Sequence, residues 1–178
     1  MSKTILVTGK PGCGKSTLVK NVKDELQIND RHEYVSNENK KYVYYKNNHY
    51  YVLGKYDDKH KFGGLDSFAP KAIAVEMIEK IISEDPDARI ICEGWVFKRY
   101  PYDRMFFLDT DNDTLMQRLE LRRSRKPKNP NKPLSELFEQ WDGFKRGLVK
   151  NWNAILIPHT TQEEMEKNQR DIIEYMTT

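Results

Sequence analysis

A glycine-rich loop near the start of the chain constrains its fold more strongly than any other feature. Residues Gly9–Ser16 read GKPGCGKS and match the pattern G-x-x-x-x-G-K-S/T at every fixed position. The apolar run Thr4–Thr8 leads directly into this loop, and Leu18, Val19 and Val22 follow it at helical spacing. The segment therefore predicts a strand, a phosphate-binding loop and a helix, in that order.

The loop carries the groups needed to hold the phosphates of a nucleotide. Its glycines let several backbone N–H groups point inward, and the following helix adds the positive end of its dipole. Lys15 would reach the β- and γ-phosphates of ATP, and the Ser16 hydroxyl would ligate Mg²⁺. The residues predicted to bind the nucleotide here are Gly9, Pro11, Gly12, Cys13, Gly14, Lys15, Ser16 and Thr17.

Length and composition predict one α/β domain over residues 1–178 and no membrane segment. The chain has 178 residues, 38% of them hydrophobic, and a mean hydropathy of −0.83. The run Ile5–Val7 is too short for the core of a signal peptide, and no run approaches the ~20 apolar residues of a membrane span. Cys13 and Cys92 form no C-x-x-C pair, so we expect reduced thiols and a cytoplasmic location.

Short apolar strands alternate with helical segments along the chain. The strands are predicted over 3–8, 89–92, 104–108 and 154–157, and the last of them is expected to be buried. Such an alternation is typical of a central parallel sheet with right-handed crossovers and helices on both faces. Asp113 is predicted to cap the helix that follows the third of these strands.

Residues 32–66 differ from this alternation and predict a small antiparallel insertion. Segments 32–35, 41–45 and 49–53 are rich in aromatic and β-branched residues, and Asn47-Asn48 is a turn signal. The tyrosines of this insertion either pack in its core or form a wall against the phosphate acceptor.

Positive charge is concentrated in one late segment, although the net charge is only +3. Arginine and lysine are the side chains that recognise phosphate. We therefore predict that residues 122–133 form an arginine-rich lid. Its cationic residues are Arg122, Arg123, Arg125, Lys126, Lys128 and Lys132.

The phosphate-binding loop predicts nucleotide binding but does not by itself determine which reaction is catalysed. A GTPase needs a guanine-recognition motif of the form N-K-x-D. The segment Asn131-Lys-Pro-Leu134 has leucine where that motif has aspartate. An ATPase motor normally needs a longer chain. The modest length, the acidic strand end Glu93-Gly94 and the basic segment 122–133 favour a kinase.

The chain resembles the nucleoside- and nucleotide-kinase branch of P-loop proteins. In those kinases a strand ending in an acidic residue and glycine lies beside the phosphate loop, which corresponds to Glu93-Gly94. A strand, a helix and an arginine-bearing lid follow, corresponding to 104–108, 111–122 and 122–133. The segment Glu93–Phe97 departs from the D-G-F/Y-P-R pattern of adenylate kinase.

The chain also resembles bacteriophage P-loop kinases, including those that phosphorylate 5-hydroxymethyluracil within DNA. The resemblance is carried by Val52–Tyr56, Gly63–Asp66, Phe107–Thr110 and Asn129–Pro133. It implies transfer of the ATP γ-phosphoryl group to a hydroxymethylated pyrimidine in DNA, in the host cytoplasm if a phage encodes the chain. A kinase for a free nucleoside or nucleotide and an ATP-hydrolysing switch are the alternatives.

In either kinase, five residues are predicted to be catalytic. Lys15 would neutralise the negative charge that develops on the transferred phosphoryl group. Arg122 and Arg123 of the lid would do the same, together with Arg125. Asp66 would accept the proton of the acceptor hydroxyl, or else caps a helix. Glu93 would hold Mg²⁺ through water or contact the acceptor, or else pairs with a nearby buried cation.

Other polar and aromatic side chains are further candidates for the site. Arg118 lies one helical turn before Arg122, so both can share a helix face. Either would bind the nucleotide by stacking on adenine or reaching phosphate, or else pair on the surface with Asp113 or Glu120. Trp95 is a candidate surface for base stacking. The four histidines, His32, His49, His60 and His159, lack metal-ligand spacing, so no zinc site is expected.

Overall fold

The computed structural model describes residues 1–56, 64, 68, 72–94, 100–125 and 134–178, with the backbone alone at 122–125 and 134–137. Seven strands and five helices lie in these ranges. In chain order they are β1 (Lys3–Gly9), α1 (Lys15–Glu25), β2 (Asp30–Val35), β3 (Lys41–Asn47), β4 (Tyr50–Leu53), α2 (Ala72–Glu84), β5 (Arg89–Glu93), β6 (Arg104–Asp109), α3 (Asn112–Arg125), α4 (Leu134–Trp152), β7 (Ile155–Pro158) and α5 (Gln162–Thr177).

All seven strands form one mostly parallel sheet in the order β2-β3-β4-β5-β1-β6-β7. The pairs from β4 to β7 are parallel, and the β2–β3 and β3–β4 pairs are antiparallel. The predicted α/β fold with a central parallel sheet is therefore confirmed. The sheet places the carboxyl ends of β5, β1 and β6 side by side, which is where ligands bind in open α/β sheets.

The antiparallel strands predicted within 32–66 exist, but they extend the central sheet instead of forming a separate unit. β4 pairs with β5 in parallel, with Tyr51 opposite Ile90. Its residues Tyr51, Val52 and Leu53 are all buried, because both faces of this strand are covered. The buried Tyr42, Tyr45 and Tyr51 agree with the packing interpretation of the tyrosines.

Helices cover both faces of the sheet, as its side-chain alternation requires. Ile5 and Val7 of β1 pack in one core with residues of α1 and α5. Leu6, which points the other way, packs in a second core with Met77 and Ile78 of α2. The sheet is thus the middle of three layers, and β1 is covered on both sides.

The last strand was predicted to be buried, and this prediction is wrong. Ile155 is 39% exposed and Leu156 is 40% exposed. β7 is the end strand of the sheet and pairs with β6. An apolar run cannot distinguish an edge strand from a central one, because that difference depends on distant neighbours.

The cap of α3 is Asp111 and not the predicted Asp113. The Asp111 Oδ1 atom accepts a hydrogen bond of 2.8 Å from the backbone N–H of Thr114. The helix begins at Asn112, so Asp113 lies inside its first turn. This bond also helps to hold the pKa of Asp111 below its ordinary value.

Replacing Asp111 by alanine should lower the free energy of unfolding by about 1 kcal/mol, since loss of an N-cap side chain leaves a backbone donor without its partner. The matched control is Asp113→Ala, for which we expect a loss of about 0.3 kcal/mol from the helix dipole alone. Urea denaturation of both variants measures the difference. Equal losses would contradict the capping role of Asp111.

Candidate functional site

The predicted phosphate-binding loop connects β1 to α1 at the carboxyl edge of the sheet. Gly12 and Gly14 have φ values of 89° and 97°, a region that residues with a Cβ rarely adopt. Gly14 is the N-cap of α1 and supplies no side-chain hydrogen bond to the first turn. The N–H groups at the start of α1 are therefore available to an anion, as the sequence motif predicts.

The Lys15 side chain folds back over this loop. Its ammonium donates hydrogen bonds of 3.0 Å to the carbonyl oxygen of Gly9 and 3.1 Å to that of Lys10. The residue is only 9% exposed, and a buried cation needs such acceptors. These contacts place the positive charge inside the concave side of the loop, where a phosphate would lie.

The two residues predicted to serve a metal ion lie in direct contact. The Ser16 hydroxyl donates a 2.7 Å hydrogen bond to the Glu93 Oε1 atom. Glu93 ends β5, is 3% exposed and lies opposite Val7 of β1 in the parallel register.

Hydroxyl and carboxylate oxygens suit Mg²⁺, which is usually held by one or two protein groups together with phosphates and waters. The described residues contain no cluster of three or more acidic, histidine or cysteine side chains that could cage a metal ion. The Ser16–Glu93 pair thus fits Mg²⁺ that is bound jointly with a nucleotide.

Gly64 lies against the same carboxylate. A Cβ built on Gly64 would overlap the Glu93 carboxylate and its backbone oxygen. The close approach of Gly64 to Glu93 therefore requires a residue without a Cβ at this position. Asp66 itself lies outside the described residues.

Several other predicted site residues also fall outside the description. The side chains of Arg122, Arg123 and Arg125 are not described, although the backbone places these residues at the end of α3. Lid residues 126–133 and Trp95 lie outside the described ranges as well. Their assigned roles stay predictions.

Arg118 on α3 reaches the phosphate-binding loop. Its Nη1 atom donates a 3.3 Å hydrogen bond to the carbonyl oxygen of Gly12. This contact, and not the alternative pairing with Asp113 or Glu120, is the one that the structure gives Arg118. Its position agrees with the predicted role near a bound nucleotide.

A cavity of about 410 Å³ opens beside Arg118. It is a size that small-molecule ligands occupy. Its wall runs from the loop along α1 and across to α3 and α5. The residues on these walls include Gly12, Gly14, Thr17, Asn21, Arg118, Leu121, His159, Gln162, Glu166 and Gln169.

His159 belongs to this wall, and the sequence analysis missed it because it considered histidines only as metal ligands. The residue is 2% exposed. Burial, and next the positive charge of Arg118, lower its pKa to about 4, against a smaller opposing effect of Glu164. The imidazole is therefore neutral near pH 7. Its position directly after an apolar strand was the signal that could have found it.

Lys10 is a second functional candidate that the loop pattern leaves unspecified. Its ammonium is 2.6 Å from the Asp142 Oδ1 atom of α4 and donates a 3.0 Å hydrogen bond to the Asn112 Oδ1 atom of α3. It also lies over the ring of Phe138. Lys10 therefore ties the loop to the helices on either side of segment 126–133.

Cys13 occupies a loop position but is not suited to nucleophilic chemistry. The residue is fully buried, and burial raises the pKa of its thiol above the ordinary value. The thiol is therefore protonated near pH 7. Its contribution to the loop is packing.

The fold and the loop define a P-loop NTPase of the α/β class. Residues 5–139 match the family described as "AAA domain". This match spans more than half of the sequence, and the chain therefore belongs to the AAA domain family. No curated protein matches the chain.

Among solved structures, the chain is similar to shikimate kinase from Bacteroides thetaiotaomicron. The two share 15% sequence identity, with a TM-score of 0.48 and 99% of each chain covered. None of the helices in the described ranges is long and apolar enough to cross a membrane.

Gly64→Ala should destabilise the protein by about 1–3 kcal/mol, the usual range for inserting a group into a packed interior. The new Cβ would meet the buried Glu93 carboxylate and backbone. Gly147→Ala is the matched control, because a Cβ there has nothing within 4 Å. Because alanine is a better helix former than glycine, Gly147→Ala should raise the free energy of unfolding by up to about 1 kcal/mol. Urea denaturation compares the two, and a Gly64 variant as stable as wild type would contradict the close approach.

Acidification from pH 7 to pH 5 should lower the free energy of unfolding through His159. Its pKa is about 4 in the folded chain and near the ordinary value of 6.5 in the unfolded chain. The unfolded state therefore takes up the proton first, and the stabilisation present above pH 6.5 is lost as the pH falls toward 4. The expected loss by pH 5 is about 2 kcal/mol. Urea denaturation of His159→Phe should lack this component, and an unchanged pH slope in that variant would contradict the assignment.

Proposed function

We propose that this chain is an ATP- and Mg²⁺-dependent kinase whose acceptor is a hydroxymethylated pyrimidine, 5-hydroxymethyluracil, in DNA. The observation that carries the kinase assignment is the Ser16–Glu93 hydrogen bond of 2.7 Å at the mouth of the phosphate-binding loop. A hydroxyl and a buried carboxylate so placed would hold a metal ion against the phosphates that Lys15 faces. Mg²⁺ bound there supplies charge neutralisation for the transferred phosphoryl group.

Lys15 gives the loop its electrostatic role in the proposed transfer. The ammonium would exchange the carbonyl oxygens of Gly9 and Lys10 for oxygens of the β- and γ-phosphates. Because the residue is buried, its charge acts on the phosphates with little screening by water.

The acceptor hydroxyl would attack the γ-phosphorus in line with the leaving oxygen of ADP. One phosphorus–oxygen bond forms to the acceptor, the bond to the β-phosphate oxygen breaks, and that oxygen keeps the electron pair. Asp66 would take the hydroxyl proton. Its assignment is supported by Gly64, two residues earlier, which lies against Glu93.

The lid has two roles in this proposal. Arg122, Arg123 and Arg125 would close over the transferred phosphoryl group and exclude water, which otherwise competes as nucleophile. The cationic segment that follows would also contact the DNA backbone. The sequence resemblance and this concentration of charge support a DNA acceptor over a free nucleoside or nucleotide.

The acceptor is tested with γ-labelled ATP and Mg²⁺ on matched panels. We expect label in DNA containing 5-hydroxymethyluracil and none in the same DNA without it. Transfer should fall steeply with added salt, because phosphate contacts release counterions. Label in free nucleosides or nucleotides instead, with a weak salt dependence, would replace the DNA acceptor by a metabolite. Phosphate release without any labelled acceptor, surviving in Asp66→Asn, would indicate an ATPase.

Lys15→Ala should reduce phosphoryl transfer at least about 100-fold, as expected when a charge facing the transition state is removed. The matched control is Lys20→Ala, which removes a lysine of the same helix that pairs with Asp24 on the surface. Initial rates of both variants, with circular dichroism to verify folding, make the comparison. Wild-type turnover in a folded Lys15 variant would refute the loop assignment.

A further inference from the structure

We propose that the Nε2–H group of His159 donates a hydrogen bond to the nucleoside part of the bound nucleotide. This inference rests on the proposed function, because it requires that the loop bind a nucleoside triphosphate. It assigns to His159 the positioning of the sugar–base end, while the loop positions the phosphates. The groups that carry it are His159, Asn168, Gly14 and Arg118.

The backbone of His159 is fixed from two sides. Its N–H donates a 3.1 Å hydrogen bond to the carbonyl oxygen of Asp109, and its own carbonyl accepts one of 2.9 Å from the Thr110 hydroxyl. Both partners follow or end β6, so the imidazole is held relative to the sheet. A donor with such a support keeps its direction before a ligand arrives.

The hydrogen bonds of Asn168 determine which ring nitrogen of His159 carries the proton. The Asn168 Nδ2 atom donates a 2.6 Å hydrogen bond to the carbonyl oxygen of Pro158, which can only accept. The same nitrogen is 3.0 Å from the His159 Nδ1 atom. Since Asn168 is the donor, Nδ1 accepts, and the proton of the neutral imidazole lies on Nε2.

The Nε2–H group faces the junction between the loop and the cavity. A Cβ built on Gly14 would lie 3.1 Å from Nε2, so the imidazole edge touches the last glycine of the loop. Among the described residues, the structure gives Nδ1 a hydrogen-bond partner and gives Nε2 none. His159 lines the cavity, so an acceptor atom on a ligand that enters the cavity can pair with this donor in place of water.

The nucleoside is the part of the ligand that offers this acceptor. The phosphates are expected on the backbone N–H groups of the loop and on Lys15. The same cavity is also lined by Thr17 and Asn21 of α1 and by Gln162 of α5, and its volume of about 410 Å³ would admit a sugar and a base. The ring nitrogens of a base and the oxygens of a sugar are neutral hydrogen-bond acceptors. They can accept from the Nε2–H group of the neutral His159 imidazole, which lies near the cationic Arg118.

The test compares two ligands on wild type and two variants by isothermal titration calorimetry. The ligands are ATP with Mg²⁺ and inorganic tripolyphosphate with Mg²⁺, which lacks the nucleoside. His159→Phe keeps a flat ring and removes the donor, whereas His159→Gln keeps an N–H group at the reach of Nε2. We expect His159→Phe to weaken ATP about 3–10-fold, the value of one hydrogen bond, and to change tripolyphosphate by less than about 2-fold. His159→Gln should bind ATP more tightly than His159→Phe.

Two results would overturn the inference while leaving the proposed function intact. Equal weakening of both ligands would mean that His159 only supports the loop at Gly14, and unchanged ATP affinity would mean that it contacts no ligand. Failure of wild type to bind ATP would instead refute the proposed function.

A measurement on wild type keeps the test decisive if a variant does not fold. In nitrogen-15-labelled protein, the Nε2–H proton of His159 should exchange more slowly with water when ATP and Mg²⁺ are added. Tripolyphosphate and Mg²⁺ should leave that exchange rate unchanged. Equal protection by the two ligands, or none, contradicts the inference.

Discussion

The parallel pairing of β1 with β5 is the constraint on which the site depends. It puts Val7 opposite Glu93, and thus sets the end of β5 beside the loop that leaves β1. From there the Glu93 carboxylate reaches the Ser16 hydroxyl at the start of α1. Because both strands are buried on two faces, this register cannot slip without exposing the core. The central sheet therefore fixes two site groups that are far apart in the chain.

The loop holds two buried ammonium groups with different partners. In the part of the chain that the structure describes, the Lys15 ammonium contacts the carbonyl oxygens of Gly9 and Lys10 and the sulfur of Cys13, so its charge remains available to an anion. Lys10 is paired with the Asp142 carboxylate of α4. Burying a charge without an ionic partner is costly, and Asp142 supplies that partner for Lys10. Lys10 therefore attaches the loop to α4, whereas Lys15 is the cation of the loop that can bind a ligand.

The sequence predicted the parts of the molecule that depend on local pattern. The loop, α1 and the acidic end at Glu93 follow from contiguous residues with strict spacing. The exposure of β7 and the continuity of β4 with β5 could not be read in this way, because both depend on strands distant in the chain. The cap at Asp111 is a local contact with Thr114, and it was misplaced because Asp111 and Asp113 both stand near the start of the helix. His159 follows an apolar strand, which was a local signal, but its contacts with Asn168 and Gly14 depend on the fold.

The two edges of the sheet differ in how they resist association with other chains. β2 presents charged residues such as Arg31 and Glu33, which oppose the approach of another strand. β7 has no charged residue and exposes Ile155 and Leu156; its protection is its shortness and Pro158, which has no N–H to donate. At the β7 edge, Leu156→Lys would add the kind of charge that already opposes the approach of another strand at β2.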